Sequence, residues 1–172
     1  LGGDQYADIA VLEVKTKENF KAVDIGGTEA LRIGDTTFTV GAPLDNVYSW
    51  TVTRGIISGK ERLVEISLDS SYNTDYIMNV LQTDAAVNSG NSGGPLCNSN
   101  GEVIGVINAK ISASGVEGMG FAIPIETGVE KAEQIINGEA SSYPYIGISM
   151  YNVEDILSNP FYSSYLKNSK LT

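Results

Sequence analysis

The sequence predicts a mainly β fold, a sandwich or a barrel, followed by a single helix. Three observations predict it. Short runs rich in Val, Ile, Thr and Tyr recur at intervals of roughly ten residues, the rhythm of short antiparallel strands. The chain carries 19 glycines, and most of them lie between those runs. One later segment switches to helical spacing.

Taken in order, the runs place strands at residues 9 to 14, 36 to 40, 51 to 58, 76 to 83, 95 to 97, 103 to 111 and 118 to 123. Asn100-Gly101 separates two of them, and Asn-Gly accepts positive φ at both central positions of a type I′ turn, so a tight hairpin is expected there. From 124 to 137 the apolar residues Ile125, Val129, Ala132 and Ile136 fall at spacings of 4, 3 and 4, which makes one helical face. Pro124 at the start and Gly138 just past the end suit helix termini. Gly128 within it costs about 1 kcal/mol of propensity. Residues 139 to 142 read as a linker, and 143 to 172 as a Tyr- and Ser-rich segment with one strand-like run at 145 to 150. Thirty residues of that kind do not make a domain unaided.

A chain of 172 residues that is 42% hydrophobic can bury one substantial core. Its formal charge of -10 argues against nucleic acid or an anionic membrane as partner, because both require a basic face. One cysteine, Cys97, precludes an intrachain disulfide, and a small core hydrophobe is favoured over a redox role for it. Trp50 reads as a packing group. No apolar stretch approaches the roughly 20 residues that cross a bilayer. The sequence has no histidine, which removes any Ser-His pair, Cys-His pair or ordinary zinc site from within these residues. No cofactor or metal is expected.

The strongest chemical signal is Asn88-Ser89-Gly90-Asn91-Ser92-Gly93-Gly94-Pro95. Such a turn presents the Ser92 hydroxyl on a sharply bent backbone. Gly90, two residues earlier, lets its own N–H and that of Ser92 converge on one spot. Two such donors beside a hydroxyl make an oxyanion hole, each worth about 2.7–4 kcal/mol. Gly93 and Gly94 relieve crowding where a substrate backbone approaches. A glycine-rich turn with an incidental serine is the alternative. The following Pro95 and the preceding Thr83-Asp84-Ala85-Ala86 weigh against it.

The segment from Leu81 to Leu96 resembles the nucleophile segment of HtrA/Deg serine proteases. The resemblance continues through Gly101-Glu102-Val103-Ile104-Gly105-Val106 and Gly120-Phe121-Ala122-Ile123-Pro124. Upstream, Asp8-Ile9-Ala10-Val11-Leu12 is similar to the family's segment bearing the triad aspartate, and residues 31 to 35 and 51 to 58 to barrel strands between the two. It implies a chymotrypsin-like double β-barrel fold, of which this chain holds the C-terminal barrel and a remnant of the N-terminal one. Ser92 would be the nucleophile, the N–H groups of Gly90 and Ser92 the oxyanion donors, and Asp8 the carboxylate that orients the histidine. Judged without the resemblance, Asp8 is a turn residue opening a strand, and Asp4 is its rival for the triad role.

The resemblance places the histidine upstream of Asp8, where only seven residues stand. The chain is therefore expected to start partway through a protease domain spanning residues 1–138 and to be inactive alone. Without a base, a serine hydroxyl is a poor nucleophile. Lys110 is a remote candidate for a substitute. Asn91 stands where zymogen-activated relatives hold an aspartate that captures a new N-terminal amine. An amide forms no such ion pair, so control by loop rearrangement is expected instead. Ala86 and Val87 are expected to line a small apolar substrate pocket, with a plain core role as the alternative. Pro144-Tyr145-Ile146-Gly147-Ile148 is similar to the opening strand of a PDZ domain, so 143–172 would be the start of one.

The resemblance implies a serine endopeptidase acting on unfolded or misfolded proteins outside the cytoplasm, within a homo-oligomeric parent. A non-catalytic pseudoprotease or chaperone-like module of the same fold is the alternative. Strands at 6 to 25 separated from their barrel partners would present open edges and either self-associate or be disordered.

Overall fold

The computed structural model describes residues 1–66, 76–108, 118–139 and 143. The chain divides into two compact units, Leu1–Ser141 and Ser142–Thr172. The expected linker, apart from Glu139, and the 145 to 150 run lie outside the described residues.

Six strands close a barrel. They are β3 (Thr36–Gly41), β4 (Thr51–Ile66), β5 (Tyr76–Thr83), β6 (Pro95–Asn98), β7 (Val103–Ile107) and β8 (Gly120–Pro124). Their order around the barrel is β3-β4-β5-β8-β7-β6, and every neighbouring pair is antiparallel. The expected mainly β fold is thus built on a closed barrel, in which each of the six strands has a neighbour on both sides.

Closure depends on β4. Its first six residues pair with β3 and the rest with β5, with register shifts between Ile57 and Gly59 and between Gly59 and Arg62. Such bulges bend a strand and raise its twist, as a barrel corner needs. The expected strand at 51 to 58 is therefore half of a strand 16 residues long.

Inside, Ile57, Leu96 and Ile104 are wholly buried, with Leu81, Ile107 and Ala122 packed against them. Burying each large aliphatic side chain contributes about 1.5–3 kcal/mol. The interior also holds a polar pair, Thr37 Oγ1 and Thr83 Oγ1, 3.1 Å apart.

Two short strands, β1 (Gly2–Asp4) and β2 (Ile9–Val11), form a separate antiparallel pair. The segment expected to lack any partner thus finds one within the chain over residues 9 to 11. Beyond it, Leu12, Val14, Phe20 and Val23 are exposed, until Ile25 bridges to Val103 on β7. Residues 31 to 35, expected as strand, form turns instead: Leu31 N–H donates to Thr28 O at 3.2 Å and Asp35 N–H to Arg32 O at 3.0 Å. Gly34, at φ +96°, makes the bend that delivers the chain into β3.

Helix α1 (Ile125–Ile136) is one residue shorter at each end than its spacing predicts, with Pro124 and Asn137 as its caps. Its inward face also differs. Ile125 and Gly128 are buried and Ala132 and Ile135 half-buried, whereas Val129 and Ile136 are exposed. Gly128 is the reason: a Cβ there would lie 3.7 Å from Val106 Cγ2 and 4.0 Å from Ile9 Cδ1, so the helix meets both the barrel and the hairpin at its least bulky point.

The Asn100-Gly101 hairpin is not of type I′. Gly101 has φ +84°, but Asn100 is not among the residues with positive φ. The Asn98 carboxamide intervenes. Its Oδ1 accepts the N–H groups of Asn100 and Glu102, while Gly101 N–H donates to Asn98 O. The result is a wider loop closing on a left-handed glycine.

Candidate active site around Ser92

Residues 88 to 91 form a β-turn closed by Asn91 N–H donating to Asn88 O at 3.0 Å. Its third residue, Gly90, has φ +101°, while Ser89 is not among the positive-φ residues, which defines a type II turn. Only glycine fits. A Cβ on Gly90 would stand 2.1 Å from Ala42 O.

The segment following β3 fixes the orientation of this turn. Ala42 N–H donates to Gly90 O at 3.2 Å and Leu44 N–H to Ser89 O at 3.1 Å. In a trans peptide the C=O and N–H point opposite ways. With Ser89 O turned toward Leu44, the Gly90 N–H is turned away from it, and it meets no acceptor among the described residues. Ser92 follows, exposed, between Gly90 and Gly93, the latter at φ +80° with open space around its Cα. Gly94 is packed instead, since a Cβ there would lie 2.4 Å from Val40 O. The turn is then tied to β7: Gly93 N–H donates to Ile107 O at 2.9 Å, and Ile107 N–H to Gly94 O at 2.8 Å.

Asp8 stands at the end of the β1–β2 connection, exposed, at φ +52°. Its Oδ2 accepts a hydrogen bond from Asn108 Nδ2 at 2.8 Å. Asn108 is 4% exposed and immediately follows Ile107. One residue step of the chain therefore separates the bonds that tie down the serine turn from the side chain that grips Asp8. Nothing in the sequence pattern singled out Asn108. A polar residue ending the apolar run Val103–Ile107 was the available signal, and its partner lies 100 residues away.

Asp4, the rival aspartate, is structural. It is 5% exposed, accepts the N–H groups of Tyr6 and Ala7 on Oδ1, and pairs with Lys131 Nζ on α1 at 3.7 Å. It closes the connection that carries Asp8 and pins it to the helix.

Ala86 and Val87 part company. Ala86 is exposed, while Val87 is half-buried and packs on the barrel core against Gly120. The Ala86 carbonyl is held by Thr53 Oγ1 at 2.9 Å and by Asn91 Nδ2 at 3.3 Å. Asn91 is 2% exposed, and its Oδ1 has no hydrogen-bond partner among the described residues. Cys97 is a buried free thiol whose burial pushes its pKa up, which suits a core residue. Trp50, expected to pack, is 84% exposed instead, on a loop whose backbone reaches φ +70°. Lys110 lies outside the described residues.

Comparison with known proteins gives the family. Residues 1–106 match the trypsin-like peptidase domain. A serine protease HtrA-like protein of Staphylococcus haemolyticus is 41% identical over 97% of this chain and 26% of its own length. The serine protease Do-like HtrA of Bacillus subtilis is 41% identical over 92% of this chain and 35% of its own. Among solved structures, the HtrA-type protease AlgW with a decapeptide superposes with a TM-score of 0.66 at 38% identity, covering 79% of this chain and 39% of that one. The chain thus spans about a third or less of the curated relatives' length. By sequence and by fold, the chain belongs to the trypsin-like peptidase family, among the HtrA-type serine proteases.

Proposed function

We propose that these residues carry the nucleophile and the aspartate of a serine endopeptidase that cleaves unfolded or misfolded protein through an acyl-enzyme at Ser92. The observation that supports this most is the turn at Gly90: φ +101°, both flanking carbonyls held by residues 42 and 44, and the exposed Ser92 two residues on. In this reading the N–H groups of Gly90 and Ser92 stabilise the tetrahedral oxyanion. Asp8 orients a histidine, which these 172 residues do not contain and another segment must supply. Exposed Ala86, with Val87 behind it, shapes a pocket for small aliphatic side chains. No cofactor enters the chemistry.

The same reading assigns 1–138 to the protease domain, 139–142 to a linker and 143–172 to the start of a PDZ domain, in an extracytoplasmic homo-oligomeric parent. The exposed residues Leu12, Val14, Phe20 and Val23 are the surface through which 6–25 would meet either the rest of a barrel or a second copy.

Fluorophosphonate labelling tests the proposal. Ser92 is expected to react when the chain is part of a longer protein that brings a histidine-bearing barrel, and to stay unlabelled in the 172-residue chain. Absence of labelling in both forms would replace the enzyme with a peptide-binding pseudoprotease.

A further inference from the structure

We propose that Lys131 is a positioning residue for the reaction: through its ion pair with Asp4, helix α1 holds the connection that carries Asp8 at the place the histidine requires. This rests on the reading of Asp8 as the histidine-orienting carboxylate.

The need arises from how little the hairpin can hold by itself. β1 and β2 are three residues each and form a sheet of their own, apart from the barrel. A lone two-stranded hairpin is marginal in water. Ser92 belongs to a turn tied to β7, so its spacing from Asp8 depends on what the hairpin rests against. It rests on α1. A Cβ on Gly2 would lie 3.0 Å from Ile135 Cγ2, Ile9 Cδ1 comes up to Gly128, and Asp4 Oδ2 stands 3.7 Å from Lys131 Nζ. Gly128, Lys131 and Ile135 follow at spacings of 3 and 4, which puts them on one face of the helix.

The contacts at Gly128 and Ile135 are apolar, and apolar contact has no direction. A hairpin seated on them alone could slide along α1 by a fraction of a turn. The ion pair stops it. The Asp4 side chain is 1% exposed and that of Lys131 18%, so salt screens the pair little. Lys131 Nζ also donates to Gln134 Oε1 at 3.2 Å, which steadies the ammonium.

The other oxygen of Asp4 carries the position onward. Oδ1 accepts the N–H groups of Tyr6 at 3.0 Å and Ala7 at 3.1 Å. One carboxylate thus joins the helix to two consecutive backbone amides, and the next residue is Asp8. Asp8 sits at φ +52°, a conformation that persists only while its neighbours hold it. The bond from Asn108 sets one oxygen of the Asp8 carboxylate, not the backbone on which it stands. Displacing residues 6 and 7 therefore displaces Asp8.

The test is a set of variants in the histidine-bearing protease. Lys131→Met keeps the stem and removes the charge. It is expected to lower kcat and the Ser92 labelling rate by about 10- to 100-fold, the range for a catalytic group displaced by about 1 Å, with KM unchanged. Lys131→Arg, which keeps the charge, should recover most of the loss. Asp4→Asn keeps an acceptor for both N–H groups and breaks the same pair. It should match Lys131→Met, and the two together should cost no more than either alone. Asp8→Asn is expected to lower kcat by about 10⁴-fold, and Lys131→Met should add nothing in that background. The proposal is overturned if Lys131→Met or Asp4→Asn is silent while Asp8→Asn is severe. Losses at 4 and 131 that multiply overturn it too, as does an equal cost of Lys131→Met with and without Asp8→Asn. A silent Asp8→Asn instead brings down the reading of Asp8, and the role of Lys131 with it. Melting temperatures for every variant separate misfolding from lost catalysis, and if Lys131→Met does not fold, Asp4→Asn decides.

Discussion

Replacing Gly90 by alanine tests the site at its tightest point. Two effects act on that one substitution. An L residue held at φ +101° occupies a sparsely populated region at a cost of about 1–3 kcal/mol. The new Cβ would also fall 2.1 Å from Ala42 O, which is backbone and cannot swing aside as a side chain could. The least costly relief is rotation of the Ser89–Gly90 peptide, which breaks the Leu44 to Ser89 bond and turns the residue-90 N–H away from the oxyanion position. Losing one such donor lowers kcat by about 10²–10³. The chain should still fold, because the barrel core does not touch residue 90. Peptide hydrolysis and fluorophosphonate labelling of the histidine-bearing protein, beside a thermal melt, measure both sides. Gly101→Ala, in the hairpin between β6 and β7, is the control: φ +84° but nothing within 4 Å, so strain of about 1–2 kcal/mol without a forced flip. Equal activity for Gly90→Ala and Gly101→Ala would refute the assignment of the Gly90 N–H.

Other outcomes follow from the fold. Leu96→Ala, at a wholly buried barrel position, should lower unfolding free energy by about 2–5 kcal/mol in urea titration. Burial pushes the Glu126 carboxyl up, but hydrogen bonds from Thr28 N–H, its own N–H and the Thr28 hydroxyl, with the charge of Lys60, outweigh that and leave it below its usual range. Because its folded pKa is depressed, its contribution is present above the unfolded value of about 4.3 and is lost as pH falls through the folded one. Glu126→Gln should therefore lower stability at neutral pH, leave it nearly unchanged in acid, and so flatten the acid limb of a stability–pH curve. Cys97, buried and with its thiol pKa raised, should resist a thiol reagent at pH 8 until the chain is denatured.

What could be read from the sequence was local, and what could not was tertiary. The serine turn was legible because Gly90, Gly93 and Pro95 encode their own backbone geometry. Strands β3 and β5 to β8 were legible within a few residues for the same reason. The far half of β4 was not, because bulges at Gly59 and Arg62 let a polar stretch continue in the ladder. The helix was found, but its face was misjudged: periodicity ranks Val129 as inward, whereas packing favours Gly128, where the hairpin and β7 come close. The Asn100-Gly101 turn failed because a neighbouring Asn98 side chain competed for the same N–H groups. Asn108 was invisible because its meaning depends on a partner across the molecule.

The position of Asn91 explains why the turn depends on its neighbours rather than on a charge. A buried aspartate there would need a cation, and the ion pair would lock the turn. Among the described residues the amide gives one bond, from Nδ2 to Ala86 O at 3.3 Å, and leaves Oδ1 buried without a partner, at a cost of about 1–3 kcal/mol. Room for it exists because residue 41 is glycine: a Cβ there would lie 2.3 Å from Oδ1. The amide therefore contributes little net free energy, and the orientation of the Gly90 N–H rests on the two backbone bonds from Ala42 and Leu44. Those bonds belong to the start of a loop whose Leu44 and Trp50 sit at φ +69° and +70° and are both more than four-fifths exposed. Strained, exposed backbone of that kind persists only while its surroundings hold it. The Gly90 N–H is thus only as ordered as the segment from 42 to 50, and anything that orders or releases that segment acts directly on it.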